Sequence, residues 1–280
     1  MKPDPQLLEQ WARWAGGHAL PLFFAMLTLT LAATLAGWWV VRRYTGPDFR
    51  FAQLPMRFLS LRLAVGLTVI LLGSFVFIEL ASELGAQEAL SRADRAFTEA
   101  IRASVTTPVV QTFAVLTHFG DTATLFGLCI VVAVALVWRG RWWLTLGWVA
   151  AVAGNGVLNT ALKHGFARVR PLGLDGLTLE DGFSFPSGHS SGSVVAYGML
   201  AYLALRLLPF RWHLPALILA MTLALTVGSS RLFLRVHFAS DVIAGFASGA
   251  AWLALCVTAI ELGRWIKVHR QGVIHSPFTP

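Results

Sequence analysis

The chain has 280 residues, 56% of them hydrophobic and only 13% charged, and its mean hydropathy is +0.66. Soluble domains carry about a quarter charged residues, so disorder, fibrous repeats and a water-soluble globule with a polar shell are excluded, and a polytopic membrane protein remains. The net charge of +8 points to membrane topology and anionic lipid rather than nucleic acid, because the charges fall between apolar segments.

An apolar stretch of about 18 residues or more is a candidate transmembrane helix. Seven segments meet or approach that length: 20–41, 63–80, 122–138, 142–162, 190–208, 214–229 and 242–263, the sixth being the shortest. The first is too long and too far from Met1 for a signal peptide, and it lacks a basic stretch directly ahead and a small-residue cleavage site behind. The expected fold class is all-α, a polytopic transmembrane helix bundle. Cys129 and Cys256 both lie in apolar runs and imply no disulfide framework.

Basic residues orient the bundle. Arg42, Arg43, Arg50, Arg57 and Arg62 follow the first span, Arg139 and Arg141 the third, Arg206 and Arg211 the fifth, and Arg264, Lys267 and Arg270 the last. Seven spans put all of these on one side, the cytoplasm. The N-terminus and the segments 81–121, 163–189 and 230–241 then face the opposite side. Segment 81–121 is rich in charge, and Ala89, Leu90, Ala93, Phe97 and Ile101 form one apolar stripe, as in an amphipathic helix lying on the membrane face.

Three polar patches sit at span ends on that second side. After the fourth span come Lys163, Arg170 and Pro171. The seven-residue spacing puts both cations on one side of a helix, where an ammonium and a guanidinium fork suit phosphate oxygens. Before the fifth span, Pro186, Ser187, Gly188 and His189 lead into a helix N-terminus, which favours anions through its unpaired N–H groups. Gly188 permits close approach to the backbone, and His189 is placed to donate a proton. Before the seventh span come Ser230, Arg231, His237 and Asp241. His237 and Asp241 are i and i+4, so a helix would make them neighbours, with Asp241 orienting a neutral imidazole. Asn155 and Asn159 are read as interhelical hydrogen-bonding residues, and Gly245 and Gly249 as a close-packing pair within the bundle or at a dimer contact. Asp175, Glu180 and Asp181 are read as a solvated loop. His118, His164 and His213 show no partner by spacing.

The ordered set K-x6-R-P, P-S-G-H and S-R-x5-H-x3-D resembles the type 2 phosphatidic acid phosphatase (PAP2) superfamily, whose integral-membrane members dephosphorylate lipid phosphates. The resemblance covers residues 63–265 and implies a six-span core, with 20–41 an N-terminal addition that flips the amino end. Residues 1–62 then form the extra span and basic connector, and 266–280 a short tail. It further implies that His237 is the nucleophile, forming a phosphohistidine, that Asp241 orients it, and that His189 protonates the leaving oxygen and then activates water. Lys163, Arg170, Ser187, Gly188 and Arg231 would cradle the phosphoryl oxygens. No metal or other cofactor is implied, because three cations supply the charge.

The expected function is metal-independent hydrolysis of a lipid phosphate or diphosphate, of the phosphatidic acid, phosphatidylglycerol phosphate or undecaprenyl diphosphate type. Phosphoryl transfer to a second lipid is the alternative at the same site. A membrane transporter would need ionisable residues at span centres, which the spans almost lack, and halide oxidation of the kind seen in soluble relatives does not suit a seven-span chain. The expected partners are lipid phosphate and the bilayer, with no nucleic acid; a homodimer is left open. The expected location is a bacterial inner membrane, with the site on the periplasmic face.

Overall fold

The computed structural model describes residues 4–45, 59–85, 88–171 and 182–274, and among these the regular structure is helical, with no strand. The chain opens with α1 (Pro5–Gly17) and α2 (Ala19–Thr45), followed by α3 (Leu59–Ser82), α4 (Ala89–Ser104) and α5 (Thr107–Leu116). After a 3-10 turn at Thr117–Gly120 come α6 (Thr122–Trp138), α7 (Trp142–Phe166), α8 (Gly188–Leu207), α9 (His213–Phe233) and α10 (Ala239–Ile274). Arg50, Arg57 and the acidic residues Asp175, Glu180 and Asp181 lie outside the described residues.

Each of the seven expected spans coincides with a helix. Among the described residues, five segments are by length and composition sufficient to cross a membrane: Ala19–Arg43, Leu59–Ser82, Thr107–Trp138, Phe210–Phe233 and Ala239–Lys267. The two expected spans that fall short are α7 and α8. The reason is physical: α7 carries Asn155, Asn159 and Lys163, and α8 carries His189 and three serines, Ser190, Ser191 and Ser193. Most residues of α8 are buried, so protein rather than lipid surrounds it and its polar groups find partners there.

Two boundaries differ from expectation. The division drawn at 62/63 cuts α3, which begins at Leu59, and the expected tail from 266 is the end of α10, which continues to Ile274. Within the connector 81–121 the expected stripe lies on α4, and α5 and the 3-10 turn follow it, with α5 joining the apolar run into α6. On α4 the apolar stripe does face inward, with Ala93 and Ile101 buried, but so is Asp94. α1, an element not anticipated from the sequence, packs along α4. Asp4 caps it by accepting the Gln6 N–H at 2.9 Å, and Gly16 lies so close to α4 that a Cβ would stand 2.4 Å from the Phe97 carbonyl oxygen.

α8 is the centre of the bundle, packed by α7, α9 and α10, while α3 lies along α10 and α2 along α9. Trp148 is fully buried beside Val195 and Met199 and donates its indole N–H to the Cys129 carbonyl at 2.9 Å. Phe113 and Phe233 stack at 4.1 Å, with Phe23 edge-on to both. Gly245 and Gly249 face α8: a Cβ at either would lie 2.6 Å from the Ser187 carbonyl oxygen or 2.8 Å from that of Ser191. The small-residue pair therefore serves contact within the bundle.

At the opposite end of α10, Glu261 is buried and gathers Arg62 at 2.6 Å, Arg206 at 2.9 Å and Arg264 at 3.2 Å, with the Tyr202 hydroxyl donating at 2.7 Å. One carboxylate thus ties α3, α8 and α10. Removing one partner of a buried ion cluster costs about 3–5 kcal/mol, so Glu261→Ala is expected to lower the unfolding midpoint in detergent well beyond the effect of a surface substitution. Gly245→Val is expected to separate α10 from the α8 N-terminus, and cysteine cross-linking of the two helices would report it.

Candidate active site

The three sequence patches meet where α7 ends, α8 begins and α9 turns into α10. α9 stops at Phe233, and Arg235 takes a left-handed φ of 57° in the turn that follows. His237 lies in that turn, not on a helix, and Asp241 is in the first turn of α10. The expected helical i, i+4 contact is thus replaced by one across a helix N-terminus: His237 Nδ1 is 3.4 Å from Asp241 Oδ2, an ion-pair distance without closed hydrogen-bond geometry. Asp241 Oδ2 also accepts the Phe238 N–H at 2.8 Å.

The other ring nitrogen, His237 Nε2, is 3.0 Å from Arg170 Nη1. A guanidinium only donates, so Nε2 accepts, and the neutral ring carries its proton on Nδ1, toward Asp241. Burial pushes the His237 imidazole down to about 4; Asp241 opposes the shift, while Arg170 and Arg231 add to it. The ring is therefore neutral near pH 7, with its lone pair on Nε2. Arg231, buried at the end of α9, donates to Thr117 Oγ1 at 2.7 Å and so pins the 3-10 turn to this corner.

Lys163 and Arg170 do not share a helix face. α7 ends at Phe166, Ala167 is left-handed at φ 46°, and Arg170 lies in the irregular stretch beyond. Convergence comes instead from the chain doubling back. The Ser184 N–H donates to the Arg168 carbonyl at 2.8 Å, Arg170 Nε to the Gly182 carbonyl at 3.1 Å, and Lys163 Nζ to the Phe183 carbonyl. Arg170 Nη1 also reaches the Val236 carbonyl at 3.0 Å.

Ser187 caps α8, its Oγ accepting from the Ser190 N–H at 3.3 Å, and its own N–H donates to the Asp241 carbonyl at 3.0 Å. This locks the α8 N-terminus to the His237–Asp241 corner. Asn155 and Asn159 both donate to Ser191 Oγ, bridging α7 and α8 as their spacing led us to expect.

Several functional neighbours carry no sequence signature. Asp121 Oδ1 is 3.0 Å from His189 Nε2, and Oδ2 is 2.7 Å from His118 Nδ1, so one carboxylate orients two imidazoles. Gly120 makes room for this, since a Cβ there would stand 2.9 Å from the His189 ring. Arg168, at an open position of the first motif, donates from Nη1 to Asp241 Oδ1 at 2.6 Å and from Nη2 to Asp94 Oδ2 at 2.9 Å. Asp94 also accepts the N–H and hydroxyl of Ser240. Burial raises the Asp94 carboxyl above its usual range, with Arg168 and Ser240 pulling it back. One signal was available: Asp94 lies three residues before Phe97 and seven before Ile101, a carboxylate on an apolar stripe.

Of the eight predicted site residues, Lys163, Gly188, His189 and His237 line one cavity of about 1280 Å³. Arg170 touches His237, while Ser187, Arg231 and Asp241 are buried. The cavity continues from this polar head along an apolar groove between α6 and α7, past Leu125, Phe126, Ile130, Val149 and Val152. Its shape suits an amphiphile with an anionic head. Among the described residues, no three His, Cys, Asp or Glu side chains converge as metal ligands.

Comparison with known proteins places the chain among membrane phosphatases. The profile of the PAP2 superfamily matches residues 142–265. Phosphatidylglycerophosphatase B of Bacillus subtilis (strain 168) is 35% identical over 136 residues, covering 48% of this chain but just under two thirds, 66%, of that protein. Lipid A 1-phosphatase of Rhizobium johnstonii is 32% identical over 184 residues, covering 56% of this chain and 69% of the relative. The crystal structure of a transmembrane PAP2-type phosphatidylglycerolphosphate phosphatase from Bacillus subtilis superposes with a TM-score of 0.60 at 30% identity, covering 68% of this chain and 93% of that one.

Arg168→Ala would leave two buried carboxylates, Asp94 and Asp241, without their shared cation, a loss of about 3–5 kcal/mol. Arg168→Lys keeps the charge but not the two-pronged fork and is expected to recover only part. Thermal unfolding in detergent tests both.

Proposed function

The chain belongs to the PAP2 superfamily, and from that premise we propose that it hydrolyses the phosphate or diphosphate of a membrane lipid through a phosphohistidine at His237. The observation that carries this reading is a neutral, buried imidazole, its Nε2 lone pair held by Arg170 at the polar head of a cavity that continues as an apolar groove. The tail would lie between α6 and α7 and the phosphate beside Lys163, Gly188, His189 and His237.

In the first step His237 Nε2 attacks phosphorus, and the bond to the leaving alcohol or phosphate oxygen breaks. Arg170 passes from Nε2 to a phosphoryl oxygen, joining Lys163, Arg231 and the first-turn N–H groups of α8, so that donors surround the developing charge. Ser187 serves this cradle by capping α8 and fixing those N–H groups. Asp241 stabilises the positive charge that His237 acquires. His189, oriented by Asp121, gives its proton to the leaving oxygen. In the second step His189 takes a proton from water, which attacks phosphorus, releases inorganic phosphate and frees His237. The three cations supply the charge that a metal would otherwise provide.

The relatives' names cover a glycerophospholipid phosphate and lipid A, and the substrate class proposed here is correspondingly broad: phosphatidic acid, phosphatidylglycerol phosphate and undecaprenyl diphosphate all present a phosphate on an apolar tail. Twelve basic residues at the ends of the expected spans away from the site, Arg62, Arg206 and Arg264 among them, support a bacterial inner-membrane location with His237 on the periplasmic face.

Detergent-purified protein is expected to release phosphate from a panel of these lipids in excess EDTA, and His237→Ala to abolish release. In His189→Ala, samples quenched in alkali, where a phosphohistidine survives, should retain label on His237 from a lipid diphosphate ³²P-labelled at its terminal phosphate: the phosphate leaving group departs with less help from an acid, while the second step lacks its base. Transfer of label to an added lipid without phosphate release would replace hydrolysis by phosphotransfer. With His237 titrating near 4, its loss of nucleophilicity should cut kcat/KM only as the pH falls through about 4, not through the ordinary histidine range near 6.5.

A further inference from the structure

A second cleft, of about 650 Å³, lies at the same end of the molecule, with Arg170, Pro171 and Phe238 among its lining residues and the rest drawn from α1 and α4. Five guanidiniums line it: Arg13, Arg92, Arg95, Arg102 and Arg170. Among the described residues its carboxylates are Glu9 and Glu99, so there five positive charges meet two negative ones. Glu9 is engaged by Arg92 at 2.9 Å and lies 3.9 Å from Arg13.

The sequence builds this surface deliberately. Arg92, Arg95, Glu99 and Arg102 recur at helical spacing on α4, opposite the buried stripe of Ala93, Asp94 and Ile101. Ordinary topological anchoring does not account for it, because the orientation proposed above puts the cleft on the periplasmic side, where cationic residues are disfavoured. Nor does snorkelling from a span, since neither α1 nor α4 is a spanning segment.

Arg170 belongs to both spaces. It touches His237 Nε2 and also lines the cleft. The catalytic cavity's other direction is the apolar groove, where a phosphate dianion would be desolvated at high cost. The cleft is the neighbouring space with the charge and the donor geometry to hold a tetrahedral oxyanion, since guanidinium forks match its oxygens pairwise.

We propose that this cleft is a second oxyanion site, taking a phosphate group from Arg170 to the arginines of α1 and α4. The phosphate comes either from the product released at His237 or from a second phosphate on the lipid headgroup, and in both cases the proposal rests on the phosphatase reading for its source.

The test uses the full chain in detergent and the variant Arg95→Gln/Arg102→Gln, both outside the catalytic machinery. If the cleft takes product, inhibition by inorganic phosphate should weaken roughly tenfold, the scale of one lost charge-assisted hydrogen bond, while KM for phosphatidic acid is unchanged. If it takes the headgroup, KM for a lipid diphosphate should rise by a similar factor, with phosphate inhibition unchanged. An unaltered inhibition constant together with unaltered KM values for both lipids would overturn the proposal. Should wild-type protein release no phosphate from any lipid, the phosphatase reading fails separately. The cleft is then tested by calorimetric binding of inorganic phosphate to the full chain, where the double variant must bind more weakly and equal binding rejects the site. Arg102→Gln alone serves if the double variant does not fold, with a smaller change in the same direction expected and no change counting against the site.

Discussion

The site depends on Arg168. Its guanidinium spans two carboxylates that come from distant parts of the chain, Asp94 on α4 and Asp241 on α10. A buried carboxylate without a partner is strongly disfavoured, so neither aspartate could occupy its position unless the other elements were assembled around this cation. Ser240, held by Asp94, is the second residue of α10, and Asp241 follows it directly. The geometry that leaves Nε2 of His237 as a lone pair is therefore set from behind, by groups that do not line the cavity at His237.

This makes α4 more than a connector. One face of the helix supplies Asp94 to the catalytic scaffold, and the other supplies arginines to the basic cleft. α1, packed along α4 through the close approach at Gly16, braces the element that carries both. α1 and the turn that starts α10 are thus coupled through a short amphipathic helix.

Bilayer residence imposes a conflict that the fold resolves by placement. A catalytic site for an anionic headgroup needs polar and cationic side chains, yet spans need apolar ones. The polar residues are concentrated on α7 and α8, and α8 is enclosed by its neighbours, leaving α2, α3, α6, α9 and α10 apolar enough to meet lipid. Glu261 repeats the solution at the far end, where one carboxylate balances arginines from three helices.

The sequence alone determined the all-helical membrane architecture, because hydropathy and span length leave no other way to satisfy the backbone in hydrocarbon. It also determined which residues meet, since Lys163, Arg170, His189, His237 and Asp241 belong to short ordered motifs at span ends. How they meet was decided by tertiary structure. His237 and Asp241 face one another across a helix start, and Arg170 reaches the site after a left-handed turn at Ala167, neither of which a spacing rule can express. Asp121 and Arg168 were invisible as site residues, and Asp94 was marked only as a carboxylate on an apolar stripe, because each meets its partner in the site across 68 to 74 positions of chain. The α1 helix was missed because its mixed polarity resembles neither a span nor a loop until α4 is present to cover its apolar face.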